Sequence, residues 1–101
     1  MKQRDLYYIL SIEADRDLEG IFDYTRQELG LENAISYVIS FEKLFDQLVN
    51  NPFLGRDRRS IYPGLRSIVK EEHVVFYRYS DTHIRIVRLL HGSRDIPKSF
   101  T

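Results

Sequence analysis

Apolar residues recur at intervals of three and four through the first half of the chain, and in short runs broken by turn residues through the second. Leu6-Tyr7-Tyr8-Ile9-Leu10 is aromatic and apolar, and predicts a strand. Ser11 follows in an N-cap position, with Glu13 and Asp15 where the first turn of a helix favours negative charge. Ala14, Leu18, Ile21, Phe22, Thr25 and Leu29 then form one stripe of a helix, which Gly30 ends as a left-handed cap. A second helix begins near Leu31 or Glu32. Its stripe of Ala34, Tyr37, Val38, Phe41, Leu44, Phe45 and Leu48 is the strongest periodicity in the chain, and Asn50-Asn51-Pro52 stops it. So short a connection predicts antiparallel neighbours, an αα-hairpin. Residues 51–64, with Pro52, Gly55 and Pro63-Gly64, predict a loop. Three strands follow over 65–70, 74–79 and 84–90, turned by Glu71-Glu72 and Ser80-Asp81-Thr82 into an antiparallel meander. The expected fold is α+β: an N-terminal strand, a two-helix hairpin and a three-stranded meander, with the helices on one face of an antiparallel sheet. At 101 residues this is a single domain spanning 1–101.

The composition is 43% apolar and 13% aromatic, enough for a core. With 15 basic and 15 acidic residues the formal charge is zero, which argues against a general nucleic-acid binder. The charges are segregated, however. Most acids lie in residues 1–50, among them Glu13, Asp15, Asp17, Glu19, Asp23, Glu28, Glu32, Glu42 and Asp46, while most arginines lie between 56 and 94. The basic half is suited to an anionic partner. The chain has no cysteine, which excludes disulfides and thiolate metal sites and suits a reducing cytoplasm. No run approaches the ~20 apolar residues of a membrane span. The N-terminal segment is too short in apolar residues for a signal peptide.

The histidines His73, His83 and His91 lack the spacing of a metal site, and no metal or cofactor is expected. His73 and His83 start strands and read as exposed caps. No phosphate-cradling glycine loop and no nucleophile elbow is present. Arg56, Asp57, Arg58 and Arg59 in the loop are either solvated or a phosphate or carboxylate contact. Arg66, Arg78, Arg85 and Arg88 fall on strands, where they are either solvated or part of an anion-binding surface. Alternation puts Ile84 and Ile86 on one face and Arg85 and Val87 on the other. Tyr77 and Tyr79 share a face, either as stacking surfaces or as ordinary packing. His91-Gly92-Ser93-Arg94-Asp95 closes the last strand. It reads either as a structural turn, with Arg94 and Asp95 pairing, or as a binding edge.

The ordered set Tyr8-Ile9-Leu10-Ser11, Ala14, Asp17-Leu18, Ile21, Tyr24, Ala34, Leu48, Pro52, Gly55-Arg56, Pro63-Gly64-Leu65-Arg66, His73-Val74-Val75-Phe76-Tyr77-Arg78 and Leu90-His91-Gly92-Ser93-Arg94-Asp95 resembles the RelE/ParE superfamily of bacterial toxins, and its ParE branch in particular. The resemblance spans nearly the whole chain. It implies a toxin of a type II toxin–antitoxin pair that acts by binding DNA gyrase, through its A subunit, and stabilises the cleaved DNA–gyrase complex. It also implies a ParD-like antitoxin that silences the toxin and carries any contact with operator DNA. The alternatives are a ribosome-dependent mRNA endonuclease, as in the RelE branch, and an inactive or repurposed toxin.

RNA cleavage needs a base, an acid and cations around the phosphorane. Arg66 lies where RelE-like toxins place a catalytic cation, so Arg66, His91 and Arg94 would be the catalytic set. The tail after Asp95 has no tyrosine, and lysines are few. On the binding reading the target-binding candidates are Arg66, Arg85, Arg88, His91, Arg94 and Asp95. A hairpin and a small sheet are hard to cover fully in 101 residues. Ile21, Tyr24, Phe41, Phe45, Tyr77 and Tyr79 are the antitoxin-binding candidates.

Overall fold

The computed structural model describes residues 6–92. Along them run β1 (Tyr7–Leu10), α1 (Ile12–Leu29), α2 (Leu31–Asn50), β2 (Arg56–Asp57), β3 (Leu65–Lys70), β4 (His73–Tyr79) and β5 (His83–His91). The strands form one sheet in the order β1-β5-β4-β3-β2. The meander is as expected, and β1 docks parallel to β5, with Tyr7 opposite His83 and Leu10 opposite Ile86. The hairpin supplies the long crossover that a parallel pair requires.

Ser11 joins strand to helix. Its Oγ accepts from the Ala14 amide at 2.9 Å and donates to the Val87 carbonyl at 2.7 Å, while its own amide donates to the Ile86 carbonyl. β1 ends there, and α1 takes over the exposed edge of β5. Asp17 Oδ2 accepts from the Leu89 amide at 2.9 Å, and the same carboxylate holds Arg88 through Nε at 2.8 Å and Nη2 at 3.0 Å. Side-chain groups of a helix thus replace the missing strand and satisfy the edge.

Gly30 alone separates the helices. Its amide donates to the Arg26 carbonyl at 2.9 Å. Its φ of 92° comes with ψ of 167°, an extended conformation of positive φ open almost only to glycine, and not the left-handed cap expected from the sequence.

The helical stripes meet the sheet in the main core, where Ala14, Phe41, Phe45, Leu48, Val75, Tyr77, Ile84 and Ile86 are fully buried. The α1 stripe runs off its end: Leu29 is exposed. The opposite sheet face is not bare. Leu65, Phe76 and Leu90 form a second, smaller core with Ile61, Val74 and Val87. A bulge between Phe76 and Tyr77 puts Tyr77 opposite Ile86 and Phe76 opposite Arg88, leaving Val87 as the extra residue of β5.

The segment 51–64, expected as a loop, contains the short strand β2, which pairs Arg56 with Ser67 and Asp57 with Arg66. Its anchor is Tyr77, whose Oη donates to the Pro52 carbonyl and accepts from the Gly55 amide, both at 2.8 Å. A Cβ on Gly55 would sit 2.6 Å from the Ser67 carbonyl and 2.7 Å from Tyr77, so only glycine fits this crossing.

Candidate functional site

The arginines of the basic half divide into two groups. Two are committed to the fold. Arg66 donates to the Gly55 carbonyl from Nε at 3.0 Å and Nη2 at 2.7 Å, and lies over the Phe53 ring. Arg88 is held by Asp17 with both side chains largely buried, and that hydrogen-bonded carboxylate pushes its pKa up. The expectation that these two face a partner meets a physical objection, since their donors already serve backbone and carboxylate. Arg59 pairs with Asp57 at the surface, which holds that carboxyl below the usual range.

The second group occupies the sheet face turned away from the helices. Arg78 and Arg85 stand directly opposite one another across β4 and β5, both exposed. Arg78 lies over the Tyr62 ring, 5.2 Å from its centroid. Arg58 donates from Nη1 to Ser67 Oγ at 2.9 Å and covers Phe76. Burial and then the neighbouring Arg56 push the Arg58 pKa down.

His91 lies at the far end of the sheet from Arg66. Arg66 is opposite Tyr77 and His91 is opposite His73, so the two are four residues apart along β4 and lie on strands that flank it. At 3.3 Å per residue and 4.8 Å per strand their backbones are about 16 Å apart, and Arg66 is turned to the Gly55 carbonyl, so the fold does not bring the two side chains together. Arg94 and Asp95 lie outside the described residues. So does the pairing between them.

His73 is not the exposed cap expected from its place in the sequence. It is half-buried beneath α2, with its ring near Tyr37, Phe41 and His91. Burial first, then His91, push its pKa down, while Glu72 and Asp17 act against them. Burial with Glu71 and Glu72 pushes the Tyr37 phenol up to about 12. A protonated phenol and a neutral imidazole therefore meet, and Tyr37 Oη and His73 Nδ1 share a hydrogen bond at 2.9 Å. His91 approaches Glu72 at 3.7 Å on the surface. Beside this cluster, a groove between the hairpin and the β3–β4 turn is lined by Tyr24, Leu29, Asn33, Tyr37, Lys70 and Glu71. Sequence reasoning missed it, because its walls come from three separate elements.

Of the antitoxin-binding candidates, Phe41, Phe45 and Tyr77 are fully buried and Ile21 nearly so. Their periodicity marked the core, and none presents a surface to a partner. Tyr24 and Tyr79 remain, 67% and 41% exposed. Tyr77 and Tyr79 share a strand face, but the helices cover it at Tyr77 and leave it open at Tyr79, where Phe53 packs edge-on. Among the described residues no group of three or more His, Asp or Glu side chains could hold a metal ion. No described helix is long and apolar enough to cross a membrane.

Residues 8–96 match the family model described as the ParE toxin of the type II toxin–antitoxin system parDE. The chain belongs to the ParE toxin family. It is 33% identical over 93 residues to Toxin ParE1 of Mycobacterium tuberculosis, covering 91% of this chain and 95% of that relative. To Toxin ParE of Escherichia coli it is 33% identical over 91 residues, covering 88% and 87%. Among solved structures it resembles the chromosomal ParDE system from P. aeruginosa, with a TM-score of 0.71 at 24% identity over 87% of this chain and 95% of that one. The toxin–antitoxin complex DinJ-YafQ of E. coli gives a TM-score of 0.58 at 17% identity over 91% and 96%. Both are likenesses of fold. The α+β architecture is thus that of the ParE toxins and their structural neighbours.

Proposed function

We propose that this ParE toxin poisons DNA gyrase by binding, and that a ParD-like antitoxin made beside it holds it silent. The reading is carried by the family match over residues 8–96. The separation of Arg66 from His91 supports it, because the cation and the base of an RNA-cleaving toxin would have to converge on one phosphate. The commitment of Arg66 to the Gly55 carbonyl supports it further. The antitoxin segment docks along the exposed apolar rim of the hairpin, where Tyr24, Leu29, Leu31, Ile35 and Ile39 stand open. It orders on binding and covers this rim.

The test is induction of the toxin in cells without the antitoxin. The expected outcome is the DNA-damage response and filamentation, with bulk mRNA intact, and suppression of both by the neighbouring small gene. Rapid loss of mRNA without a damage response would replace gyrase poisoning with ribosome-dependent RNA cleavage. Failure of two folded proteins to form a stable complex would remove the antitoxin assignment.

A further inference from the structure

Among the described strand positions, the sheet face away from the helices carries arginines and no carboxylate. Arg56 on β2, Arg78 on β4 and Arg85 on β5 point to it, and Arg58 reaches over it from the connection before β3. By register the remaining strand positions on this face are Arg88, already held by Asp17 of α1, and apolar, hydroxyl or imidazole side chains, and no described strand position on it carries a carboxylate. Among the described residues Arg59 pairs with Asp57, Arg88 with Asp17 and His91 with Glu72, and none of these carboxylates occupies a strand position of this face.

The spacing is regular. Arg78 and Arg85 are opposite neighbours, about 5 Å apart at the backbone. The Arg58 amide donates to the Leu65 carbonyl, and Leu65 is opposite Arg78, so Arg58 continues the same row about 10 Å further on. Like charges placed directly opposite are unfavourable in a sheet, and an anion lying along the row relieves them. Tyr62 lies beneath the Arg78 guanidinium, 5.2 Å from ring centroid to Cζ, and is 45% exposed. Tyr7 stacks on His83 at the β1 edge of the same face and is 52% exposed.

We propose that this face binds single-stranded nucleic acid, its phosphates on Arg56, Arg58, Arg78 and Arg85 and its unpaired bases against Tyr62 and Tyr7. The row of Arg85, Arg78 and Arg58 runs roughly 15 Å across the strands, with Arg56 beside it, and offers successive phosphates of one extended strand a cation each. Flat rings beside guanidinium groups suit bases, which stack without regard to sequence. An acidic peptide would use the charges and leave the rings idle. A duplex would hide its bases from them. This site does not depend on gyrase being the target.

The experiment is fluorescence anisotropy with the full chain, freed of any antitoxin, and a fluorescein-labelled 15-nucleotide oligo-dT. With four contacts the logarithmic salt slope should be about −2.8, a loss of about fiftyfold in affinity between 50 and 200 mM salt. Arg78→Gln with Arg85→Gln should halve the slope, and Arg85→Gln alone should lower it by about 0.7. Tyr62→Leu should weaken binding about tenfold at an unchanged slope, in line with ~1–3 kcal/mol per stacked base. All variants alter exposed side chains, and an unchanged cooperative melt checks the fold. No binding at 50 mM salt overturns the proposal, as does a slope that Arg85→Gln leaves unaltered. Equal competition by poly-glutamate, with Tyr62→Leu silent, assigns the face to an acidic protein segment instead. Tighter binding of the matching duplex overturns the single-strand assignment.

Discussion

Removing one oxygen from Tyr77 isolates the link between the core and the 51–57 segment. The ring is fully buried, and its Oη is bonded at 2.8 Å both to the Pro52 carbonyl and to the Gly55 amide. Tyr77→Phe keeps the ring, so it opens no sizeable cavity. It strands a buried amide, at about 1–3 kcal/mol, and removes a second bond, at about 0.5–1.5 kcal/mol. The expected loss is about 2–4 kcal/mol, or a fall in Tm on the order of 10–20 °C for a chain of this size. Urea unfolding should show a lower midpoint with an unchanged slope, and hydrogen exchange should show the Gly55 amide losing protection. Tyr79→Phe is the control. That ring is 41% exposed against Phe53, and its loss of hydroxyl should be nearly silent. A Tyr77→Phe protein within about 0.5 kcal/mol of the parent would refute the argument that this hydroxyl pins the segment.

Asp17→Ala breaks a largely buried pair with Arg88 and leaves the Leu89 amide without its acceptor, which should lower stability by about 2–4 kcal/mol in a denaturant melt. Arg59→Ala, at an exposed pair, should leave the same melt unchanged. Gly30→Ala places a Cβ where nothing lies within 4 Å, so its cost is backbone strain alone, about 1–3 kcal/mol by the same measurement. The His73 pKa is lower in the folded chain than its ordinary value, so the unfolded chain binds the proton first. Its contribution is full above pH ~6.5 and is lost as the pH falls from there toward the lowered value. His73→Gln should flatten the stability profile in that window, and a profile as steep as the parent's would count against the buried imidazole.

The hairpin was legible because its stripes are long and each buries against one surface. Ser11 and Gly30 marked its joints by their chemistry. β2 was not legible: two charged residues carry no alternation, and only backbone pairing with Ser67 and Arg66 defines the strand. Arg88 looked available because its partner Asp17 lies 71 residues away. Phe41, Phe45 and Tyr77 illustrate a general ambiguity: an apolar stripe identifies the side that is covered, but not whether the chain or a partner covers it. Here the chain does, and the exposed apolar residues lie on the flanks, at Tyr24, Ile35 and Ile39. Alternation did put Ile84 and Ile86 on the helix side and Arg85 and Val87 on the other, and only the register of β4 and β5 brings Arg78 opposite Arg85.

The gyrase assignment is tested most directly in a purified reaction of gyrase, supercoiled DNA, ATP and the free toxin. Trapping with a protein denaturant should reveal cleaved DNA accumulating in proportion to toxin, and prior addition of the antitoxin should abolish it. Ribosomes programmed with mRNA should meanwhile leave that mRNA uncut. Intact DNA at saturating toxin, together with cleaved mRNA in the ribosome reaction, would contradict the account.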